Sequence, residues 1–214
     1  EGSSDVCLSD RSPGCSNKEN YCENPPAGDG RKVIISDTDH LWGIGGDRAW
    51  VWKSFTRGLN PIFMDPIERP RWESVRRAMG ITLAYADRMN LSSMKPHGDL
   101  ASSGYCLANP GREYLVYVPL EVPSLESRRF FRRFKQQIRN IRRLFETKVT
   151  VDLITNAGQF QVEWLNPSSG EKKLGRPVQG GTKVSFTAPF RGDAVLYIYG
   201  EKPKANYTGE EGNS

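Results

Sequence analysis

The chain has 214 residues, 37% of them hydrophobic and 10% aromatic, with a net charge of +5, enough for one or two folded domains and too apolar for a wholly disordered chain. The charge is local: residues 128–146 carry seven Arg, one Lys and one Glu, a net +7, which leaves the rest of the chain at −2. Nucleic-acid-binding folds spread Lys and Arg over a docking face, so this pattern argues against that class, and no run reaches the roughly 20 apolar residues of a membrane-spanning helix.

Residues 1–30 are rich in Ser, Asn, Gly, Pro and charge and read as a polar loop. They open on Glu1, without an initiator Met or the basic and apolar start of a signal peptide, so a processed or partial chain is expected. Cys7, Cys15 and Cys22 fall here, with seven and six residues between them, and the fourth cysteine is Cys106. No CxxC pair and no His at zinc spacing accompanies them, so neither a metal nor a cofactor is expected. A disulfide formed in an oxidising compartment and unpaired thiols in a loose tail both stand as readings.

Residues 32–36 (KVIIS) form a short β-branched run suited to a strand covered on both faces, as in a parallel sheet. Asp47 then caps a helix through Trp50, Val51, Trp52 and Phe55 that stops at Gly58. A second apolar strand over residues 61–64 ends at Asp65 and Pro66, and residues 72–89 carry Val75, Met79, Leu83 and Ala86 at helical spacing. The order is strand, helix, strand, helix.

From about residue 104 short strands alternate with turn residues: 104–108, 113–118, 149–154, 159–165, 182–187 and 194–200. Val149, Val151 and Leu153 alternate with polar partners, as do Phe160, Val162 and Trp164, so these strands should each bury one face. Six such strands predict a sandwich. Between the second and third lies the basic segment, whose Phe131, Phe134, Ile138, Ile141 and Phe145 form a single helical stripe. It reads as an amphipathic insertion: a surface helix, or a contact for an anionic polymer or membrane surface. Nothing in it offers the stacking pattern of RNA or DNA binding.

In parallel α/β folds ligands bind at the strand ends. Asp37, Asp39, His40 and Asp65 occupy such ends, with Trp42 beside them. Carboxylates supply nucleophile, acid or base, and Trp offers a platform for a sugar ring. A second reading has the two Asp capping turns, His40 bonded to backbone, Asp65 in a turn before Pro66, and Trp42, Trp50 and Trp52 in the core. His97, in a Pro-His-Gly-Asp loop, reads as an exposed loop residue.

The run PPAGDGRKVIISDTDHLWGIGGDRAWVWKSFTRGLNPIFMDPI resembles the end of the catalytic barrel in bacterial glycoside-hydrolase-like proteins of the apiosidase-like group. The later runs GDLASSGYCLANPGREYLVYVP, VTVDL, FQVEWLNPSSGE and FTAPFRGDAVLYI resemble the C-terminal module labelled collagen-binding in such proteins, and together the two cover residues 25–200. The resemblance implies an α/β plus all-β chain: the last βα units of an incomplete TIM-type barrel over residues 31–97, then a β-sandwich over 98–201; the helical insertion at 124–147 departs from the family pattern, and the polar residues 202–214 read as a flexible tail. It implies that Asp37 or Asp39 occupies the position where related retaining hydrolases usually carry a Glu nucleophile; Asp37 is taken as nucleophile, with Asp39 and His40 orienting substrate and Trp42 and Asp65 binding it. The general acid of such an enzyme comes from an earlier strand, and none precedes Lys32, so the chain alone is expected to be inert. A secreted or periplasmic protein acting on polysaccharide is expected. The rival readings are a non-catalytic module that binds glycan or a collagen-like protein through Tyr105, Trp164 or Tyr199, and anionic-surface binding through the Arg-rich helix.

Overall fold

The structure is a computed structural model and describes residues 24–38, 46–64, 68–120 and 146–200. Within them the chain is mostly β-sheet with few helices. The first elements are a βαβ unit. Strand β1 (Ile34–Asp37) pairs in parallel with β2 (Leu59–Ile62), Ile34 beside Leu59 and Asp37 beside Ile62, and helix α1 (Arg48–Thr56) lies between them in sequence. Asp47 starts the helix: its carboxylate accepts the Trp50 N–H at 2.7 Å, satisfying a donor that a first helical turn otherwise leaves orphaned. Gly58 ends it with φ +74, and a Cβ there would sit 2.7 Å from Pro96 Cγ, so both backbone and neighbour demand glycine.

Helix α2 (Glu73–Arg88) buries Val75, Ala78, Thr82 and Tyr85. This corrects the stripe expected from aliphatic spacing: Met79 and Ala86 are only partly buried and Leu83 is exposed. Tyr85 decides the rotation, because its ring packs edge-on to Trp52 and Tyr197 and its hydroxyl reaches across to the sheet.

The large sheet has the order β3 (Lys95–Pro96), β4 (Cys106–Asn109), β5 (Glu113–Val118), β11 (Ala194–Gly200), β7 (Gln159–Leu165), β8 (Lys172–Leu174), with β9 (Val178–Gln179) also pairing β7. Its pairings are antiparallel throughout. A second, two-stranded sheet joins β6 (Glu146–Asp152) to β10 (Lys183–Arg191), and an isolated antiparallel bridge pairs its Val151 with Ala101, which precedes β4 in the chain. Phe186, Ala188 and Phe190 alternate inward along β10 and share a core with Tyr114, Val116, Leu196, Ile198, Phe160 and Trp164.

The central strands are buried on both faces, not on one. Leu115, Tyr117, Val195 and Tyr197 point away from β6 and β10 and pack with Trp50, Trp52, Val75 and Tyr85 in a second core. Helices α1 and α2 therefore cover the other face of the large sheet. Trp52 stacks on Tyr117 with centroids 6.3 Å apart. Layers of this kind each bury one apolar surface of the sheet, so loss of either would expose large aromatic and aliphatic side chains.

Two buried carboxylates bolt the helices down. Asp193, in the turn between β10 and β11, accepts Arg48 Nε at 3.1 Å, Arg48 Nη2 at 2.9 Å and the Tyr117 hydroxyl at 3.1 Å. Glu163 of β7 accepts the Tyr85 hydroxyl at 2.6 Å and both Arg88 Nη groups, at 2.7 and 3.1 Å. Each pair is bidentate, the geometry in which Arg and carboxylate bind most strongly.

Candidate functional site

Asp37 is the last residue of β1, half-buried at the carboxyl end of a parallel strand. Side chains alternate along a strand, which sorts the βαβ unit into two faces. Ser36, Thr38, Leu59 and Phe63 are buried. Asp37 lies on the opposite face with Val33, Ile35, Ile62 and Met64, which are 78%, 46%, 40% and 57% exposed. The strand ends are fixed beneath it: Thr38 N–H donates to Ile62 O at 3.2 Å, and Thr38 Oγ1 accepts Met64 N–H at 2.9 Å. Asp37 thus stands at the rim of an open apolar face. Asp39, His40, Trp42 and Asp65 lie outside the described residues, as do Cys7, Cys15, Cys22 and the Arg-rich segment.

Of the aromatics proposed as ligand contacts, Trp164 and Tyr105 are 4% and 8% exposed and belong to the two cores. Tyr199 is half-buried and stacks on Tyr197 with centroids 4.8 Å apart. Trp50 and Trp52 are core residues. His97 Nδ1 lies 3.8 Å from Asp99, and among the described residues no three His, Cys, Asp or Glu side chains gather as metal ligands. Cys106 is a free thiol buried in the core, and that burial pushes its pKa up.

The strongest electrostatic features are the two helix-to-sheet clusters. At Glu163, burial alone would raise the carboxyl, but hydrogen bonds from Arg88 and Tyr85 and the charges of Arg88 and Lys172 outweigh it and hold the group below its ordinary value. Burial, then the Glu163 bond, pushes the Tyr85 phenol well up. Burial followed by the Asp193 charge does the same to Tyr117. Glu163 was missed in the sequence because Arg88 stands 75 residues away; its one signal was a charged residue inside the alternating run FQVEWL.

No family model matches the chain, and no curated protein matches it in sequence. Among solved structures, a glycoside hydrolase is similar at 10% identity with a TM-score of 0.47, over 71% of this chain and 36% of its own. A glycoside hydrolase of family 5 from Bacteroides vulgatus is similar at 11% identity with a TM-score of 0.46, over 71% of this chain and 35% of its own. The chain spans about a third of the length of these structures.

Proposed function

We propose that this chain is the C-terminal part of a carbohydrate-active, glycoside-hydrolase-like protein, secreted or periplasmic, related to the apiosidase-like group. In this reading residues 31–97 supply the last βα units of a TIM-type barrel, and residues 98–201 form a β-sandwich module. The observation that carries it is the placing of Asp37. In a (β/α) barrel the helices lie outside, the face away from them is the interior, and catalytic side chains sit at the carboxyl ends of the strands. Asp37 shares the face opposite the buried Ser36 and Leu59 with exposed Ile35 and Ile62, the side chains that further barrel strands would cover.

Asp37 serves as nucleophile in the complete site. Retaining hydrolysis needs two carboxyl groups about 5–5.5 Å apart, the second acting first as acid and then as base. Asp39 and His40 orient substrate, and Trp42 and Asp65 bind it. The general acid comes from a strand before β1. In this reading the two parallel strands among the described residues are two of the usual eight of a closed barrel.

The test is hydrolysis of a polysaccharide panel by a chain extended to a closed barrel. Asp37→Asn should lower kcat by at least about a thousandfold, the scale on which loss of a nucleophile acts. Unchanged turnover overturns the assignment.

A second reading, a non-catalytic module for glycan or a collagen-like protein, draws on Tyr199, the aromatic of the three that reaches the surface.

A further inference from the structure

At the end of the large sheet where β11 finishes, a cleft of about 730 Å³ opens between the turn of the β4–β5 hairpin, the C-terminus of α2 and the start of β7. Asn90, Asn109, Arg112, Glu113, Asn156 and Gln159 line it. It is remote from Asp37: β11 runs from Ala194, beside the Asp193 that grips the first residue of α1, to Gly200 in the cleft wall, and in a βαβ unit the end of the first strand lies with the start of the helix.

The walls are braced. Gly200 N–H donates to Arg112 O at 2.9 Å, Asn156 Nδ2 to Gly111 O at 2.8 Å, and Asn90 N–H to Glu113 Oε2 at 3.1 Å. The Tyr114 hydroxyl accepts Gly111 N–H at 2.7 Å, fixing the hairpin turn from below. The side chains of Asn109, Arg112 and Gln159 take no part in this and have no hydrogen-bond or ion-pair partner among the described residues. Arg88, also in the wall, lies 4.9 Å from the ring of Tyr197, which is buried with its hydroxyl unpartnered among the described residues. An orphaned buried hydroxyl calls for a partner.

The lining selects the ligand. Amide and guanidinium groups in a braced wall donate and accept hydrogen bonds at several points, and they disfavour an apolar ligand, whose burial would leave them unpaired. The wall has no net charge to select an ion, since Glu163 offsets Arg88 and Glu113 offsets Arg112. A neutral molecule dense in hydroxyls fits, since its hydroxyls can meet the amides of Asn109 and Gln159 and the guanidinium of Arg112. The volume is in the range of about 300–1,000 Å³ that holds small organic ligands.

We propose that this cleft binds a short neutral oligosaccharide, giving the protein a carbohydrate subsite apart from the strand-end carboxylate. The proposal rests on the carbohydrate reading above for the class of ligand only.

The test is titration of the ¹⁵N-labelled chain with short cello-, xylo-, manno- and galacto-oligosaccharides and with a collagen-like peptide. At least one oligosaccharide should shift the amides of Gly111, Arg112, Glu113, Gln159 and Gly200, with a Kd near about 1 mM or below. Arg112→Ala combined with Gln159→Ala changes exposed side chains and should weaken that binding at least tenfold, while Asp37→Asn leaves it unchanged. Sugar-induced shifts confined to the surroundings of Asp37 would overturn the cleft and leave the strand-end reading standing. No shifts with any sugar, or shifts with the collagen-like peptide alone, would also overturn the cleft; hydrolysis by the extended barrel decides the strand-end reading separately.

Discussion

Glu163 shows how one side chain can hold two layers together. It is buried in β7 yet takes hydrogen bonds from Tyr85 and Arg88 of α2, with Lys172 at 4.0 Å. Replacing it by Ala should cost about 1.5–3 kcal/mol, the range for hydrogen bonds to a charged group, kept modest because Arg88 retains contact with water. Urea denaturation measures this. The same carboxyl sets an acid dependence. Its folded pKa lies below the ordinary 4.5, so its contribution is fully present above about 4.5 and is lost as pH falls through the folded value. Glu163→Gln should therefore flatten the acid limb of the stability profile below pH 4.5. In the alkaline direction the phenols of Tyr85 and Tyr117 have raised folded pKa values, so wild-type stability should decline as pH rises above about 10.

At the level of elements, local chemistry was the most legible. Asp47 followed by Trp50, Val51 and Trp52 and closed by Gly58 marked α1 because cap, periodicity and stop agreed. The runs of β5, β7 and β11 were bounded by turn residues and were readable to the residue. The face of α2 was not, since a count of aliphatics cannot foresee that Thr82 and Tyr85 turn inward to meet Glu163 and the sheet tyrosines. Burial of β5 and β11 on both faces was equally hidden, because period-two alternation in neighbouring strands describes only the side that meets β6 and β10. Little of the candidate site was testable: Asp37 falls where the sequence placed it, at a parallel strand's end, while its expected companions lie outside the described residues. Gly58→Ala should destabilise the protein by about 1–3 kcal/mol, combining positive φ with the contact to Pro96, as read by thermal unfolding.

For the molecule as a whole, the shared core of helices and large sheet has a thermodynamic consequence. Trp50, Trp52 and Tyr85 pack on Tyr117 and Tyr197, so α1, α2 and the sheet should melt in one transition, with near- and far-ultraviolet circular dichroism coincident. Trp52→Ala, which empties the centre of that layer, should cost about 3–5 kcal/mol. Separate transitions for helices and sheet would show that the interface contributes little. The βαβ unit is then a rigid shelf, anchored to the sheet and presenting Asp37 on a face where Ile35 and Ile62 remain uncovered. The measurement that bears most directly on its role is trapping of the covalent intermediate in the barrel-completed chain with 2-fluoro-sugar inhibitors, followed by mass spectrometry of the labelled peptide. A glycosyl adduct on the Asp37 carboxyl is the expected result; an adduct on any other carboxylate, with Asp37 unmodified, contradicts it.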